Sequence, residues 1–352
     1  MGNDFNEYEF LEFGNLYTSL KKCCKNVRWK TSVTQYEHNG LKNTTKIINE
    51  VNDHKYRLSK YQVFEIYEPK QRTILATKIK DRHLQRSLCD NYLYKEITRH
   101  FIYDNCACQL NKGTHFAIRR LKAHLQKLYH KHKHNNGYYL KCDIHHFFES
   151  INHEKLKELL IKNVRNNTCR KFVFEIIDSF GKRGLGLGSQ VSQLLALLYL
   201  DPLDHFIKEK LHIKHYIRYM DDFILIHTDR NYLNYCLKEI TKWLVEHDLT
   251  LNSKTCLQPL HKGVIFLNFK FMLTNSGKTI ITSSKVKIHR RKRKLHKIMG
   301  LYNKNILTIY DVFATASGML AHLEKYNTYK EQLYICKTFN IIKRSYLDYK
   351  PK

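Results

Sequence analysis

The chain of 352 residues predicts an α+β protein in which a small antiparallel sheet carries acidic side chains and helices supply most of the remaining structure. Three observations lead there. First, Tyr219-Met220-Asp221-Asp222 sits between residues 215–219 and 223–227, two runs rich in β-branched and aromatic residues, the pattern of a hairpin with a tight acidic turn. Second, residues 138–142 form a short apolar stretch that ends on Asp143. Third, long segments on either side repeat apolar residues at helical spacing. With four prolines, thirteen glycines and no internal repeat, the chain reads as one continuous body rather than modules on linkers.

The elements follow in order. Residues 5–60 read as helical and basic, with Phe10, Leu11, Phe13, Leu16 and Leu20 suited to one face. Residues 61–67 alternate like a strand, Glu68-Pro69 makes a turn, and residues 72–78 return. Residues 81–130 are largely helical, and the strand ending at Asp143 follows. A glycine-rich loop, Arg183-Gly184-Leu185-Gly186-Leu187-Gly188-Ser189, leads through Ser192 and Gln193 into an apolar helix over 194–200. Beyond the acidic hairpin, residues 285–297 form a strongly basic helix with a narrow apolar stripe. Residues 306–323 form another, with Ala314, Ala316, Gly318 and Ala321 small enough for close packing. From Lys325 onward the chain is basic and aromatic, with Tyr326, Tyr329, Tyr334, Phe339, Tyr346 and Tyr349 suited to stacking on bases or filling a core.

Charge narrows the class of partner. Lys and Arg number 61 against 32 Asp and Glu, a formal net charge of +29. An uncompensated excess of that size strains a compact fold, and a polyanion such as nucleic acid relieves it. The ten cysteines are scattered without a paired C-x-x-C, which favours reduced thiols in the cytoplasm. Cys106-Ala107-Cys108 with His100 and His115 has poor spacing for structural zinc. Residues 1–13 are acidic rather than Arg-rich or apolar, and no apolar run reaches membrane-spanning length. Neither export nor a membrane partner is expected.

The carboxylates carry the chemistry. Asp221 and Asp222 repel each other when bare and are more comfortable with a cation upon them. Asp143, at the end of its own strand, is placed to join them in space. Three carboxylates from two strands suit two magnesium ions bridging a phosphoryl group and an attacking hydroxyl, with manganese able to substitute. The glycine loop lacks Walker or dinucleotide spacing, so its use is close approach to a ligand rather than a nucleotide fingerprint.

Three segments, residues 143–151, 184–193 and 219–222, resemble the palm motifs of reverse transcriptases in order and spacing. Glu68-Pro69-Lys70-Gln71-Arg72-Thr73-Ile74 resembles the fingers strand of that family, and residues 249–255 resemble the palm segment after the acidic hairpin. The resemblance covers roughly residues 60–325. Residues 101–108 and Lys112-Gly113-Thr114-His115 look most like bacterial enzymes of diversity-generating retroelements and defence-associated groups, with retron and group II intron types more distant. Many relatives have Pro-Gln-Gly and Ser-Pro in the glycine loop. Here Gly186-Leu187-Gly188 and Ser192-Gln193 stand instead, and the apolar Leu187 puts high copying fidelity in doubt.

The resemblance implies a right-handed fingers-palm-thumb polymerase with an antiparallel palm sheet and a helical thumb. It divides the chain into an N-terminal helical extension (1–60), fingers (61–137), palm (138–275, with a fingers-like insertion around 155–180) and thumb with tail (276–352). Asp143, Asp221 and Asp222 would hold the metals, with Asp143 and Asp221 doing most of the bridging. Lys70 and Arg72 would clamp the triphosphate. Lys254 would protonate or neutralise departing pyrophosphate. Phe148 would exclude a ribose 2′-hydroxyl, with Phe147 turned into the core. Leu187, Gly188 and Gln193 would border the nucleotide, and Arg290, Arg291, Arg293 and Lys294 would grip nucleic acid.

The implied reaction is cDNA synthesis from a noncoding-RNA template with dNTPs, in antiphage defence. The alternatives are a diversity-generating retroelement or retron enzyme and a non-catalytic RNA-binding scaffold. So lean a chain implies reliance on a structured RNA or a companion, either an accessory protein or a second reverse transcriptase.

Overall fold

In the computed structural model, residues 9–67 and 71–339 are described. The strands among them are β1 (Gln62–Ile66), β2 (Arg72–Ala76), β3 (Tyr138–Asp143), β4 (His215–Tyr219), β5 (Asp222–His227), β6 (Cys256–Pro259), β7 (Val264–Phe266), β8 (Phe269–Leu273) and β9 (Thr279–Ser283). They form a β1-β2 hairpin, a four-stranded sheet in the order β4-β5-β3-β6, and a three-stranded antiparallel sheet in the order β7-β8-β9. The α+β class expected from sequence is the one observed. The chain divides into two compact units, one of Met1–Gly113, Lys141–Ile224 and Tyr235–Cys256, the other of Thr114–Leu140, Leu225–Asn234 and Leu257–Lys352.

The first unit begins with helices Phe13–Cys24, Thr31–His38 and Gly40–Asn52. Leu16, Leu20 and Cys24 recur at helical spacing and are fully buried. A Cβ on Gly40 would stand 2.9 Å from Leu20 Cδ2, so the third helix packs against the first through the absence of a side chain. Helix Ile79–Leu88 is tied to the first by His83 Nε2, which donates to the Leu16 carbonyl at 2.8 Å. Helix Gln190–Tyr199 is apolar on nearly every side and correspondingly buried, Val191, Leu195, Ala196, Leu197 and Leu198 showing no exposure. Helices His153–Asn163 and Asn167–Asp178 each start on an asparagine, Asn152 and Asn166, whose side chain accepts from first-turn N–H groups.

The second unit combines the three-stranded sheet with helices Thr114–His132, Lys285–Asn303, Ile309–Leu323 and Tyr329–Thr338. Leu295, Ile298, Val312, Ala316, Leu320, Leu323 and Ile335 close its helical core. Ser284 caps the basic helix, and Thr308 with Asp311 forms a reciprocal capping box on the next.

Candidate active site

The acidic hairpin is held from below. β4 and β5 are joined by Met220 and Asp221, and Met220 adopts φ +57°, a region uncommon for residues with a Cβ. Arg218, fully buried, supports that turn. Its Nε and Nη2 fork onto Asp204 at 2.7 and 2.5 Å, while Nη1 donates to the Met220 carbonyl at 3.1 Å. The Tyr216 hydroxyl completes the base by donating to Asp204 Oδ1 at 2.6 Å. Burial works against the Arg218 charge, but the Asp204 carboxylate more than offsets it, and the guanidinium pKa is raised. The other edge of β4 is occupied as well, since Arg218 N–H donates to the Asp104 carbonyl and its own carbonyl accepts from Cys106.

Asp143 arrives from β3. Alternation along that strand buries Leu140 and Cys142 and leaves Lys141 and Asp143 half-exposed on the opposite face. The Asp143 carbonyl accepts from Asn252 N–H at 2.7 Å and His145 N–H donates to the Thr250 carbonyl, so the segment leading into β6 is stitched to the strand end. His146 then takes φ +44°, turning the chain into the short helix Phe147–Ser150. Phe147 is buried and Phe148 half-buried, their rings 5.6 Å apart at 69°.

Electrostatics couple the three acids. Burial raises the Asp221 pKa; the Asp143 charge raises it further, and Arg72 and Arg218 act against that. Asp222 is pushed up to about 6, chiefly by burial, with Lys141 opposing and Asp143 and Asp221 adding to the rise. Lys141 Nζ stands 3.1 Å from Asp222 Oδ2, whereas Asp222 Oδ1 is buried and makes no hydrogen bond. Among the described residues, no three His, Cys, Asp or Glu side chains converge closely enough to cage a metal unaided. The carboxylates of Asp143, Asp221 and Asp222, with one Asp222 oxygen buried and without a hydrogen bond, have the hard-oxygen chemistry that a magnesium-type ion takes.

The remaining predicted residues divide by location. Arg72, exposed on β2, is near enough to oppose the rise in the Asp221 pKa, and Lys70 lies outside the described residues. The glycine loop is threaded between β2 and the Phe148 segment. Leu187 accepts from Leu75 N–H at 3.1 Å, Leu185 N–H donates to the Phe148 carbonyl at 2.8 Å, and a Cβ on Gly184 would stand 2.9 Å from the Glu149 carbonyl. Gly188 has φ +118°, a conformation L side chains rarely adopt. Leu187 is half-buried and Gln193 exposed, the latter accepting from Cys108 Sγ at 3.6 Å, with that sulfur 4.0 Å from Met220 Sδ. Lys254 is exposed on a turn whose Asn252 is bonded to the Asp143 carbonyl.

In the second unit, Arg290, Arg293 and Lys294 are exposed on helix Lys285–Asn303. Arg291, grouped with them on helical spacing, is instead buried and ion-paired with Glu331. Lys287, Arg290 and Lys294 face Ala314, Gly318 and His322 across a groove of about 460 Å³. Burial, then the neighbouring Arg291, Arg290 and Lys294 charges, depress the Lys287 pKa. Sequence reasoning passed over Lys141, Arg218 and Asp204. Lys141 had a signal, standing two residues before Asp143 on the same strand face, but Asp204 had none.

An antiparallel sheet presenting one carboxylate at a strand end and two at an adjoining turn, set among helices, defines the palm of a right-handed fingers-palm-thumb polymerase. The reverse transcriptase (RNA-dependent DNA polymerase) family matches residues 68–271, more than half of the chain, and the chain belongs to that family of nucleotidyltransferases. Among solved structures it is similar to apo telomerase from Candida tropicalis truncated from its C-terminal domain, at TM-score 0.50 and 14% identity over 63% of this chain. It is also similar to telomerase from Candida albicans in complex with the TWJ fragment of telomeric RNA, at TM-score 0.52 and 11% identity over 71% of this chain. The chain spans about half the length of these telomerases, 55% and 51% respectively, and at such identities the likeness concerns the fold alone. No curated protein matches the sequence. No helix among the described residues is long and apolar enough to cross a membrane.

Proposed function

We propose that the protein is an RNA-directed DNA polymerase that extends a 3′-hydroxyl with dNTPs on an RNA template. The observation that carries this reading is the convergence of the Asp143 and Asp221 charges, which raise the cost of the metal-free site and suit a divalent cation. Two magnesium ions, with manganese able to substitute, would be held by Asp143 and Asp221, with Asp222 as the third acid. Bound there, they would supply Lewis-acid stabilisation of the charge that develops in phosphoryl transfer. Arg72, with Lys70, would orient the triphosphate, Lys254 would meet the leaving pyrophosphate, and Phe148 would lie beneath the sugar. Leu187, Gly188 and Gln193 would border the nucleotide, while Arg290, Arg293 and Lys294 would hold backbone phosphates.

The finer assignment is a cytoplasmic bacterial enzyme copying a noncoding RNA in antiphage defence, with fingers at 61–137, palm at 138–275 and thumb from 276. It is supported by the segments at 101–108 and 112–115. A retroelement or retron enzyme shares the same chemistry. Partnership with an accessory protein or a second reverse transcriptase follows from the same reading.

Primer extension on a homopolymer RNA template with Mg²⁺ tests the reaction. The wild type should give dNTP-dependent product and Asp221→Asn none. A pure wild-type protein that binds RNA tightly yet makes no product would point to a scaffold instead. Sequencing RNA and DNA that copurify with the protein tests the choice of template.

A further inference from the structure

Lys141 is in salt-bridge contact with Asp222 of the acidic triad, and nothing in the reading above gives it a task. It precedes Asp143 by two residues on β3, so strand alternation points both side chains to one face. β5, which opens with Asp222, neighbours β3 in the sheet, and Lys141 reaches across to Asp222 Oδ2 at 3.1 Å. Both side chains are about three-quarters covered, at 24% and 23% exposure, so solvent screens this pair less than a surface one. The lysine meets one oxygen of the carboxylate and leaves the other buried without a hydrogen bond.

We propose that Lys141 is a positioning residue that acts as a built-in counter-ion, holding Asp222 by one oxygen and lowering the triad's formal charge from −3 to −2. This rests on the metal-site reading above and deepens it. The triad then works as two open carboxylates, Asp143 and Asp221, plus one oxygen of Asp222 turned inward by the lysine. A site of that charge holds a divalent ion loosely until triphosphate oxygens complete the shell, so metal and nucleotide load together. Without the lysine three uncompensated carboxylates would remain, a stronger trap for a bare ion.

Calorimetric titration of the apo protein with Mn²⁺ alone at pH 8 reads this directly, without relying on turnover. Lys141→Met should bind Mn²⁺ at least about tenfold more tightly than wild type, the added attraction between one extra negative charge and a dication. Lys141→Arg should stay within about threefold, because the charge is kept. The double variant Lys141→Met/Asp222→Asn removes one charge of each sign and should lose that gain, binding Mn²⁺ no more tightly than wild type. It also spares the fold an unpaired buried carboxylate, which covers the case in which Lys141→Met alone does not fold. Equal or weaker Mn²⁺ binding by Lys141→Met would overturn the counter-ion role, as would a double variant that binds tenfold more tightly. Asp221→Asn separates this from the parent reading. If its Mn²⁺ binding is undiminished, the metal-site assignment itself fails, whereas loss there with no change in Lys141→Met sinks only the lysine.

Discussion

At the residue scale, the acidic turn depends on side chains that make no claim to touch substrate. Arg218 is a fully buried cation whose fork is spent on Asp204 and whose remaining nitrogen holds the Met220 carbonyl in a left-handed turn. Removing one partner of a buried pair leaves the other charge unpaired, so Arg218→Met should destabilise the protein by about 3–5 kcal/mol in urea denaturation. A loss under about 1 kcal/mol would mean that the pair is not buried in solution. Phe148 makes a second prediction. Half-buried beside Phe147, it has a ring and no hydrogen-bonding group to offer a ribose hydroxyl. Phe148→Ala should lower discrimination against ribonucleotides by about 10- to 100-fold in single-nucleotide incorporation assays, and unchanged discrimination would remove it from that role. The placement of the aspartates at a strand end and a hairpin turn was legible because strand pattern and turn residues pointed to it. Arg218 was not, because its partner lies on a preceding helix and no local pattern links them. Arg291 illustrates the opposite limit: helical spacing groups it with Arg290 and Lys294, while its ion-pair partner Glu331 comes from a helix forty positions later.

At the element scale, local pattern served best where an element's burial follows its own sequence. The hairpin β1-β2 and the strand ending at Asp143 stand within two residues of their expected bounds, and the basic helix starts where expected but runs six residues further. The three-stranded sheet was passed over, although Phe269–Leu273 and Thr279–Ser283 each alternate buried and half-buried residues. Those strands are short, and their pairing is settled by neighbours rather than by propensity. The packing of helix Phe13–Cys24 against helix Ile79–Leu88 carries a pH-dependent term. His83 shows no exposure, donates to Leu16 through Nε2 and meets the Tyr36 hydroxyl at Nδ1. Burial lowers its pKa from 6.5 to about 4, despite the bond to Leu16. Between those values the unfolded chain binds a proton that the folded chain refuses, so stability rises with pH across the window. The contribution is whole above about 6.5 and is lost as pH falls toward 4, amounting to about 3 kcal/mol over the full range. Melting curves at pH 7 and pH 5 should therefore converge more closely for His83→Gln than for wild type. Parallel losses in the two proteins would show that the imidazole titrates normally in the fold.

At the scale of the whole molecule, a formal charge of +29 sets how the protein meets nucleic acid before any site is engaged. Helix Lys285–Asn303 concentrates that charge without one acidic residue of its own. Lys287, Arg290, Arg291 and Lys294 line its groove, and burial, then the charges of Arg291, Arg290 and Lys294, depress the lysine. Crowded like charges of this kind are relieved by phosphate, whose displaced counter-ions make binding steeply dependent on salt. Each single-strand phosphate neutralised contributes about −0.7 to the slope of log affinity against log salt. Changing Lys287, Arg290 and Lys294 together to glutamine should thus flatten that slope by about 2, measured by fluorescence anisotropy with single-stranded RNA between roughly 50 and 300 mM salt. Arg291→Gln should behave differently, because its charge is already met by Glu331: the protein should melt at a lower temperature, and the slope should stay near that of wild type. If the triple variant keeps the full slope, the phosphates are held elsewhere on this basic surface, and the helix owes its composition to something other than RNA.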